Sequence, residues 1–174
     1  DAPPPVHAAP SYAAPDAAPA AVLGPDAVRA AVPLKARVAA QATVQMVSFY
    51  VREQIFLLPV CAIAEVLRYM PLTRLPMAPP FVAGVVNLRG RITPLLHLDA
   101  LLTLEQQYRY GPENFIVVCS GQDMQIGLVV DKIHTMYMVA QQNITWNAET
   151  SLGASADYLC GLAEVNDHLH GIVD

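Results

Sequence analysis

Few side chains of this sequence are spaced as catalytic groups are. Ser120 and Ser155 lie in segments that read as turns, and neither stands in the G-x-S-x-G pattern of a hydrolase nucleophile. Ser48 falls inside a predicted strand. The cysteines lie among apolar neighbours without a C-x-x-C partner, which is typical of core thiols. They are Cys61, Cys119 and Cys160. With no phosphate-binding glycine loop and no carboxylates paired by spacing, the sequence predicts a protein that is not an enzyme.

The histidines offer one candidate metal site. His168 and His170 are two residues apart, so on a strand both rings point to the same face. With His97 or Asp99 from another strand they could ligate zinc and form a small metal enzyme. The better supported alternative is a pair of exposed histidines on the last hairpin, because spacing fixes no third ligand. His134 is a lone strand histidine. We therefore expect no metal and no cofactor.

Charge and hydropathy argue against two classes of partner. From Met46 onward the chain carries seven Lys/Arg and twelve Asp/Glu, which accounts for the whole net charge of −5. No basic stripe is present to neutralise phosphates, so we expect no nucleic-acid partner. Although 54% of the residues are hydrophobic, no apolar run reaches the roughly 18 residues of a spanning helix, so we expect no membrane insertion. Sparse cysteines and the lack of a signal-peptide pattern favour a cytoplasmic protein.

The N-terminal quarter differs from the rest of the chain. Residues 1–44 contain sixteen Ala and eight Pro and almost no large apolar side chains. This composition predicts a disordered, extended tail or linker. Pro25 and Asp26 could cap a short helix over residues 27–31, which Pro33 would interrupt. A linker is the favoured interpretation, and a docking helix is the alternative.

From about residue 44 the pattern alternates with period two, which is typical of strands. Strands are predicted over residues 44–51, 55–58, 81–88, 92–98, 115–119, 124–131, 133–139, 158–165 and 168–173. One helix is predicted over residues 60–68, because Val60, Ile63, Ala64 and Leu67 fall on one helical face. Short strands joined by turns predict an all-β fold with short helices, in two small subdomains.

The hairpin over residues 81–98 carries the segment best suited to binding. Arg89 at its tip offers a rigid fork of donors that matches a carboxylate. Asn87 and Gly90 are residue types that tolerate positive φ in a turn. The alternative is an ordinary hairpin tip with solvated arginines. Pro94 in the second arm cannot donate to a ladder, so an edge strand or a bulge is expected there.

Several blocks, in order, resemble the CheW-like domain family over residues 45–174. They include Phe56-Leu57-Leu58-Pro59-Val60, Glu65-Val66-Leu67-Arg68, Thr73-Arg74-Leu75-Pro76 and Gly127-Leu128-Val129-Val130-Asp131-Lys132-Ile133. The most specific is Pro80-Phe81-Val82-Ala83-Gly84-Val85-Val86-Asn87-Leu88-Arg89-Gly90.

This resemblance implies two five-stranded SH3-like barrels around a shared core. It also implies a chemotaxis adaptor without catalysis, which bridges the cytoplasmic tip of chemoreceptors and the regulatory domain of the chemotaxis histidine kinase, in the cytoplasm and at polar receptor arrays. Glu65 and Arg89 match the family's conserved pair, which would fix the hairpin against the helix. Val66, Val85 and Leu88 would be buried anchors. The expected partner-binding residues are Glu65, Val66, Val85, Asn87, Leu88, Arg89 and Gly90.

The sequence departs from the family pattern at two places. His97 stands where the family usually has a carboxylate, and Asp99 where it has a base. The last hairpin carries Asn166-Asp167-His168 in place of D-G-R. These departures leave a second function open: a CheW-like scaffold module of a larger protein, whose tail docks a localisation or polarity partner.

Overall fold

The computed structural model describes residues 34–103, 110–120, 124–146 and 157–174. The chain divides into two compact units, Asp1–Ala30 and Ala31–Asp174, and every described residue lies in the second. The expected tail and the candidate helix over residues 27–31 therefore lie outside the described residues, except for residues 34–44.

The described residues form eleven strands and two short α-helices. The strands are β1 Thr43–Val51, β2 Gln54–Pro59, β3 Ile63–Arg68, β4 Val82–Leu88, β5 Arg91–His97, β6 Phe115–Ser120, β7 Gln125–Val130, β8 Lys132–Ala140, β9 Ile144–Trp146, β10 Leu159–Val165 and β11 His168–Val173. The helices are α1 Leu34–Val38 and α2 Leu98–Thr103, and 3-10 turns span Val60–Ala62 and Gln141–Asn143.

The strands form two sheets. The first has the order β8-β1-β2-β11-β10-β9 and the second β3-β6-β7-β5-β4. Each contains one parallel pair, β2 with β11 and β5 with β7, among antiparallel hairpins. The predicted all-β fold with two subdomains is confirmed, but the first sheet has six strands because the three-residue β9 adds to its edge.

Three apolar clusters hold this arrangement together. One lies inside the first sheet, where Val139 of β8 and Ile144 of β9 share a cluster, so the sheet curls until its edge strands meet. A second lies inside the second sheet, around Leu95, Ile116 and Val129. The third draws on both sheets and is the shared core between the barrels. It includes Phe49, Phe56, Leu58, Val117, Leu128 and Val130. Burial of each such side chain contributes about 1.5–3 kcal/mol.

Strand β1 serves two of these cores because its successive side chains point to opposite faces. Met46 packs in the first barrel, whereas Phe49 packs between the barrels. These two residues are three apart and so lie on opposite faces of the strand. The register against β8 shifts between Val47 and Phe49, and the extra residue is on β8, between Ile133 and Met136. Both faces are therefore buried in the second half of the strand.

The predicted helix over residues 60–68 is wrong. A 3-10 turn covers Val60–Ala62, and Ile63–Arg68 is strand β3, paired with β6. The burial of β3 alternates residue by residue, which is the strand period. Nine residues are too few to tell a helical from a strand period, and pairing with the largely apolar β6 decides the outcome.

The end of the expected tail is also structured. Leu34–Val38 forms α1, and both terminal residues of this helix are buried, Leu34 in the core between the barrels and Val38 inside the first barrel. The backbone N–H of Leu34 donates to Oδ1 of Asp174 at 3.2 Å. An extended conformation is therefore wrong for this stretch, because two apolar residues four apart are enough to dock one helical turn.

Pro94 does not mark an edge strand, because β5 lies between β4 and β7. The pairing with β7 covers Leu95 to His97, so Pro94 stands just before it and no ladder bond to β7 is required of its nitrogen. The irregularity lies on the partner strand, where the register shifts between Val82 and Gly84.

Candidate binding surface at the Arg89 hairpin tip

The β4–β5 hairpin ends in a two-residue turn. Leu88 pairs with Arg91, and both residues between them have positive φ, 53° at Arg89 and 83° at Gly90. Positive φ at both central positions defines a type I′ turn, which matches the twist of the flanking strands. The Gly90 N–H donates to Oδ1 of Asn87 at 2.8 Å. Asn87 thus supports the turn through its side chain. The left-handed conformation that was expected of Asn87 is adopted by Arg89.

Arg89 is an unusual choice for this conformation. A non-glycine residue with positive φ costs of order 1 kcal/mol, and such positions concentrate at functional sites. The turn lifts the Arg89 side chain out of the sheet, so that 83% of it is exposed. A strained turn that presents a guanidinium to solvent is suited to contact a partner.

Glu65 is the carboxylate that orients this guanidinium. Oε2 of Glu65 lies 2.7 Å from Nη2 of Arg89, and 21% of the Glu65 side chain is exposed. The expected pair is therefore present, but Glu65 projects from strand β3 and not from a helix. Since β3 and β4 are opposite edges of the second sheet, the ion pair spans the gap between them. It closes the barrel at the end where the tip lies.

The segment that follows β3 bridges the same gap between β3 and β4, farther from the hairpin tip. Thr73 and Val85 exchange both backbone hydrogen bonds, at 2.9 and 2.8 Å. Gly84 beside them has φ 151°, and a Cβ there would lie 2.5 Å from the Thr73 carbonyl oxygen. Glycine is required at this position because the two backbones approach so closely.

The expected apolar anchors fall in three different environments. Leu88 is 7% exposed and packs inside the second barrel, so it supports the tip from within. Val85 is half-buried beside the Thr73 bridge. Val66 is 40% exposed. It pairs with Val117 of the shared core, and directly opposed residues share a face, so Val66 lies at the margin of the seam between the barrels.

A second charged cluster was not foreseen from the sequence. Arg52 lies in the β1–β2 turn, and its Nη2 is 3.8 Å from Oδ2 of Asp99, whose side chain is 3% exposed. The Arg52 backbone N–H donates to Oδ2 of Asp131. Tyr110 hydrogen-bonds Asp99, and burial together with this bond raises the pKa of Tyr110 well above its ordinary value. Burial also raises the pKa of Asp131.

This buried cluster explains one departure from the family pattern. Asp99 lies in α2, directly after β5 of the second sheet, while Arg52 belongs to a hairpin of the first. The pair therefore joins the two barrels. No sequence pattern indicated this pair, because Arg52 is far from Asp99 along the chain and occupies an ordinary polar turn.

The candidate metal and nucleophile residues do not come together. His97 stacks on Tyr110, with ring centroids 5.0 Å apart, and burial lowers its pKa. His168 and His170 lie on β11 of the other sheet. Within the described ranges, no group of three or more His, Cys, Asp or Glu could hold a metal ion. Burial raises the pKa of the Cys119 and Cys160 thiols to about 12, which opposes thiolate formation.

Together these features define a β domain of two barrels with a shared core and one outward-facing, strained arginine tip. A family model of the CheW-like domain matches residues 45–174. The chain belongs to the CheW-like domain family. None of the helices in the described ranges has the length and apolar character needed to cross a membrane.

Relatives and a solved structure agree with this assignment. The chain is 23% identical over 121 residues to the chemotaxis protein CheW of Treponema pallidum (strain Nichols), covering 68% of this chain and 71% of that protein. It is 27% identical over 125 residues to the chemotaxis protein CheW of Helicobacter pylori (strain ATCC 700392 / 26695), covering 72% and 74%. The crystal structure of the scaffolding protein TtCheW from Thermoanaerobacter tengcongensis superposes with a TM-score of 0.68 at 22% identity, covering 75% of this chain and 84% of that one, which shows a shared fold.

Proposed function

We propose that this chain is a non-enzymatic adaptor that couples chemoreceptors to the chemotaxis histidine kinase. The relatives named chemotaxis protein CheW support the pathway, and the shared fold with a scaffolding protein supports the scaffold role. We place the adaptor in the cytoplasm, at polar receptor arrays.

The observation that carries the proposal is the geometry of the Arg89 tip. An ion pair with one partner 83% exposed adds little stability, about 0–1 kcal/mol. The strained turn and the exposed guanidinium are therefore not explained by folding alone. A partner that buries Arg89 would gain charge-assisted hydrogen bonds in a drier environment.

We assign separate roles to the residues of this surface. Arg89 contacts the partner, and Glu65 holds its guanidinium in place. Asn87 and Gly90 maintain the turn. Val66 and Val85 supply the apolar rim, and Leu88 supports the hairpin from inside the barrel.

The test uses isothermal titration calorimetry of the full chain against a receptor cytoplasmic fragment and against the kinase regulatory domain. Replacing Arg89 with Ala is expected to weaken binding to at least one partner about tenfold or more, as for an interface hot spot. Arg74, an exposed arginine of the same barrel, provides the matched control in Arg74→Ala. If Arg89→Ala left the affinities for both partners unchanged, Arg89 would have no role in binding.

A second candidate function is a scaffold module of a larger protein that docks a localisation or polarity partner through the tail. The docking of α1 into both cores favours it, because the tail is then attached firmly to the domain. Removing residues 1–33 tests it, whereas removing residues 1–44 would also delete the buried Leu34 and Val38. An adaptor of arrays alone should keep both affinities without residues 1–33, and a lost partner in pull-downs would favour the scaffold.

A further inference from the structure

A row of side chains that includes one tyrosine and two histidines crosses four adjacent strands of the first sheet. Tyr50 of β1 is paired with Ile55 of β2, and the parallel register of Gly171 with Phe56 places His170 beside Ile55. His134 of β8 continues the row on the other side of Tyr50. With strands about 4.8 Å apart, the row extends roughly 14 Å.

Three histidines thus gather at one end of the first barrel. The His134 ring meets Tyr50 edge-on at 5.3 Å between centroids, and it lies 6.5 Å from Tyr137. His168 and His170 are 6.5 Å apart. His134 and His168 are exposed and His170 is half-buried, so solvent reaches all three rings.

His170, the least exposed of the three histidines, is influenced by the other two. Burial lowers the pKa of His170 most, and the neighbouring His168 and His134 lower it further, against a hydrogen bond to the Ile55 backbone that raises it. His170 is therefore harder to protonate than an ordinary histidine. Three protonated rings at this end of the barrel would repel one another unless an anion lay between them.

Among the described residues, no carboxylate is one of the groups that shift the pKa of His170. Asp131 accepts the Arg52 N–H, and Arg52 reaches Asp99 with its guanidinium. Lys132 is paired with Tyr50 and is itself basic. Three carboxylates belong to these hairpins: Glu53 in the β1–β2 turn, Asp167 in the β10–β11 turn, and Glu164, which is opposite Leu169 and so on the other face of β11 from His168 and His170.

We infer that this histidine face, formed by His134, His168, His170, Tyr50 and Tyr137, is a docking surface for an acidic peptide segment of a partner protein, and that it binds only when the histidines are protonated. The charge of the face selects carboxylates, and the two tyrosine rings offer apolar contact area beside them. An acidic partner and protons therefore bind cooperatively by linkage. The face belongs to the first sheet, whereas the Arg89 tip belongs to the second, and the inference does not depend on the adaptor role.

The test is fluorescence anisotropy of the full chain with a labelled oligoglutamate peptide, at about pH 5.5 and about pH 7.5 in low salt. Binding is expected to be at least about tenfold tighter at the lower pH. The triple variant His134→Gln/His168→Gln/His170→Gln should lose this gain. His7→Gln, in the N-terminal segment, should keep it. Labelled oligoglutamine should bind at neither pH.

Three results would overturn the inference. Equal oligoglutamate affinity at both pH values would exclude protonation as the switch. Undiminished binding by the triple variant would place the peptide elsewhere. Self-association of the chain at the lower pH, seen by sedimentation without peptide and abolished in the triple variant, would make a second copy the occupant. NMR titration of the imidazole signals in the triple variant and the parent chain assigns the shifts to these residues.

Discussion

Two hairpin turns of this domain use an arginine in the same way and place it in opposite surroundings. Arg52 and Arg89 each open a two-residue turn, with φ of 58° and 53°, and each guanidinium faces a carboxylate. Arg52 is 25% exposed and its partner Asp99 3%, whereas Arg89 is 83% exposed and Glu65 21%. The same arrangement, a turn arginine beside a carboxylate, therefore joins the barrels at Arg52 and faces solvent at Arg89.

This difference separates a pair that stabilises the fold from a pair that is available to a binding partner. A buried ion pair cannot lose one partner without leaving a desolvated charge, so the Arg52–Asp99 pair constrains the fold. An exposed pair contributes little to stability and keeps its donors within reach of another molecule. We therefore expect substitutions in the first region to change the free energy of unfolding, and substitutions in the second to change affinity.

The largest effect is expected at Asp99. Asp99→Ala leaves the Arg52 guanidinium and the Tyr110 hydroxyl without this carboxylate in a buried site, at a cost of about 3 kcal/mol. Urea denaturation followed by circular dichroism measures it. Asp167→Asn, at an exposed turn position where asparagine tolerates the positive φ, is the control and should change stability by less than about 0.5 kcal/mol. Equal effects of the two variants would mean that Asp99 does not tie the barrels together.

Gly84 tests whether the second barrel is closed behind the Arg89 tip. An alanine Cβ would lie 2.5 Å from the Thr73 carbonyl oxygen, so Gly84→Ala should destabilise the domain by about 2 kcal/mol. At Gly90 a Cβ meets nothing within 4 Å, and only the φ of 83° opposes it. Gly90→Ala should therefore cost about 1 kcal/mol. If thermal denaturation ranks the two variants the other way, the Thr73–Val85 closure is not tight.

His97 gives the buried region a pH dependence. Burial lowers its pKa in the folded domain, so between that lowered value and the ordinary histidine value the unfolded chain binds more protons. Stability should then fall as the pH decreases below about 6.5. His97→Gln should flatten this slope, and the part that remains has the same sign from His170. Denaturant midpoints measured across this pH range test this expectation. An unchanged slope of stability against pH in the variant would show that His97 does not titrate in this way.

The smallest change in stability is expected at the exposed pair. Arg89→Ala should lower the free energy of unfolding by less than about 1 kcal/mol, since solvent screens the interaction and the substitution keeps the strained turn. Chemical denaturation of this variant beside Asp99→Ala compares the two regions directly. A loss as large as that at Asp99 would make Arg89 a structural residue.

The sequence predicted the elements that depend on local pattern. The strands and the hairpins at residues 44–58, 81–98 and 158–173 follow from period-two alternation and turn residues, and the Glu65–Arg89 pair followed from the family resemblance. Strand β3 was missed because a short segment satisfied both periods, and pairing with β6 decided between them. Helix α1 was missed because its stability comes from the cores that bury Leu34 and Val38, not from its own sequence. The Arg52–Asp99 pair depends on how the barrels meet, which local patterns do not encode.

A charge exchange at the tip tests the central claim most directly. The double variant Glu65→Arg/Arg89→Glu keeps an ion pair across the barrel opening but replaces the outward guanidinium with a carboxylate. Stability by urea denaturation and affinity by calorimetry are measured for this variant and both single changes. We expect the exchange to recover the stability of the parent chain while partner affinity stays at least about tenfold weaker. Recovery of both would contradict the account, because the pair would then serve only to close the barrel.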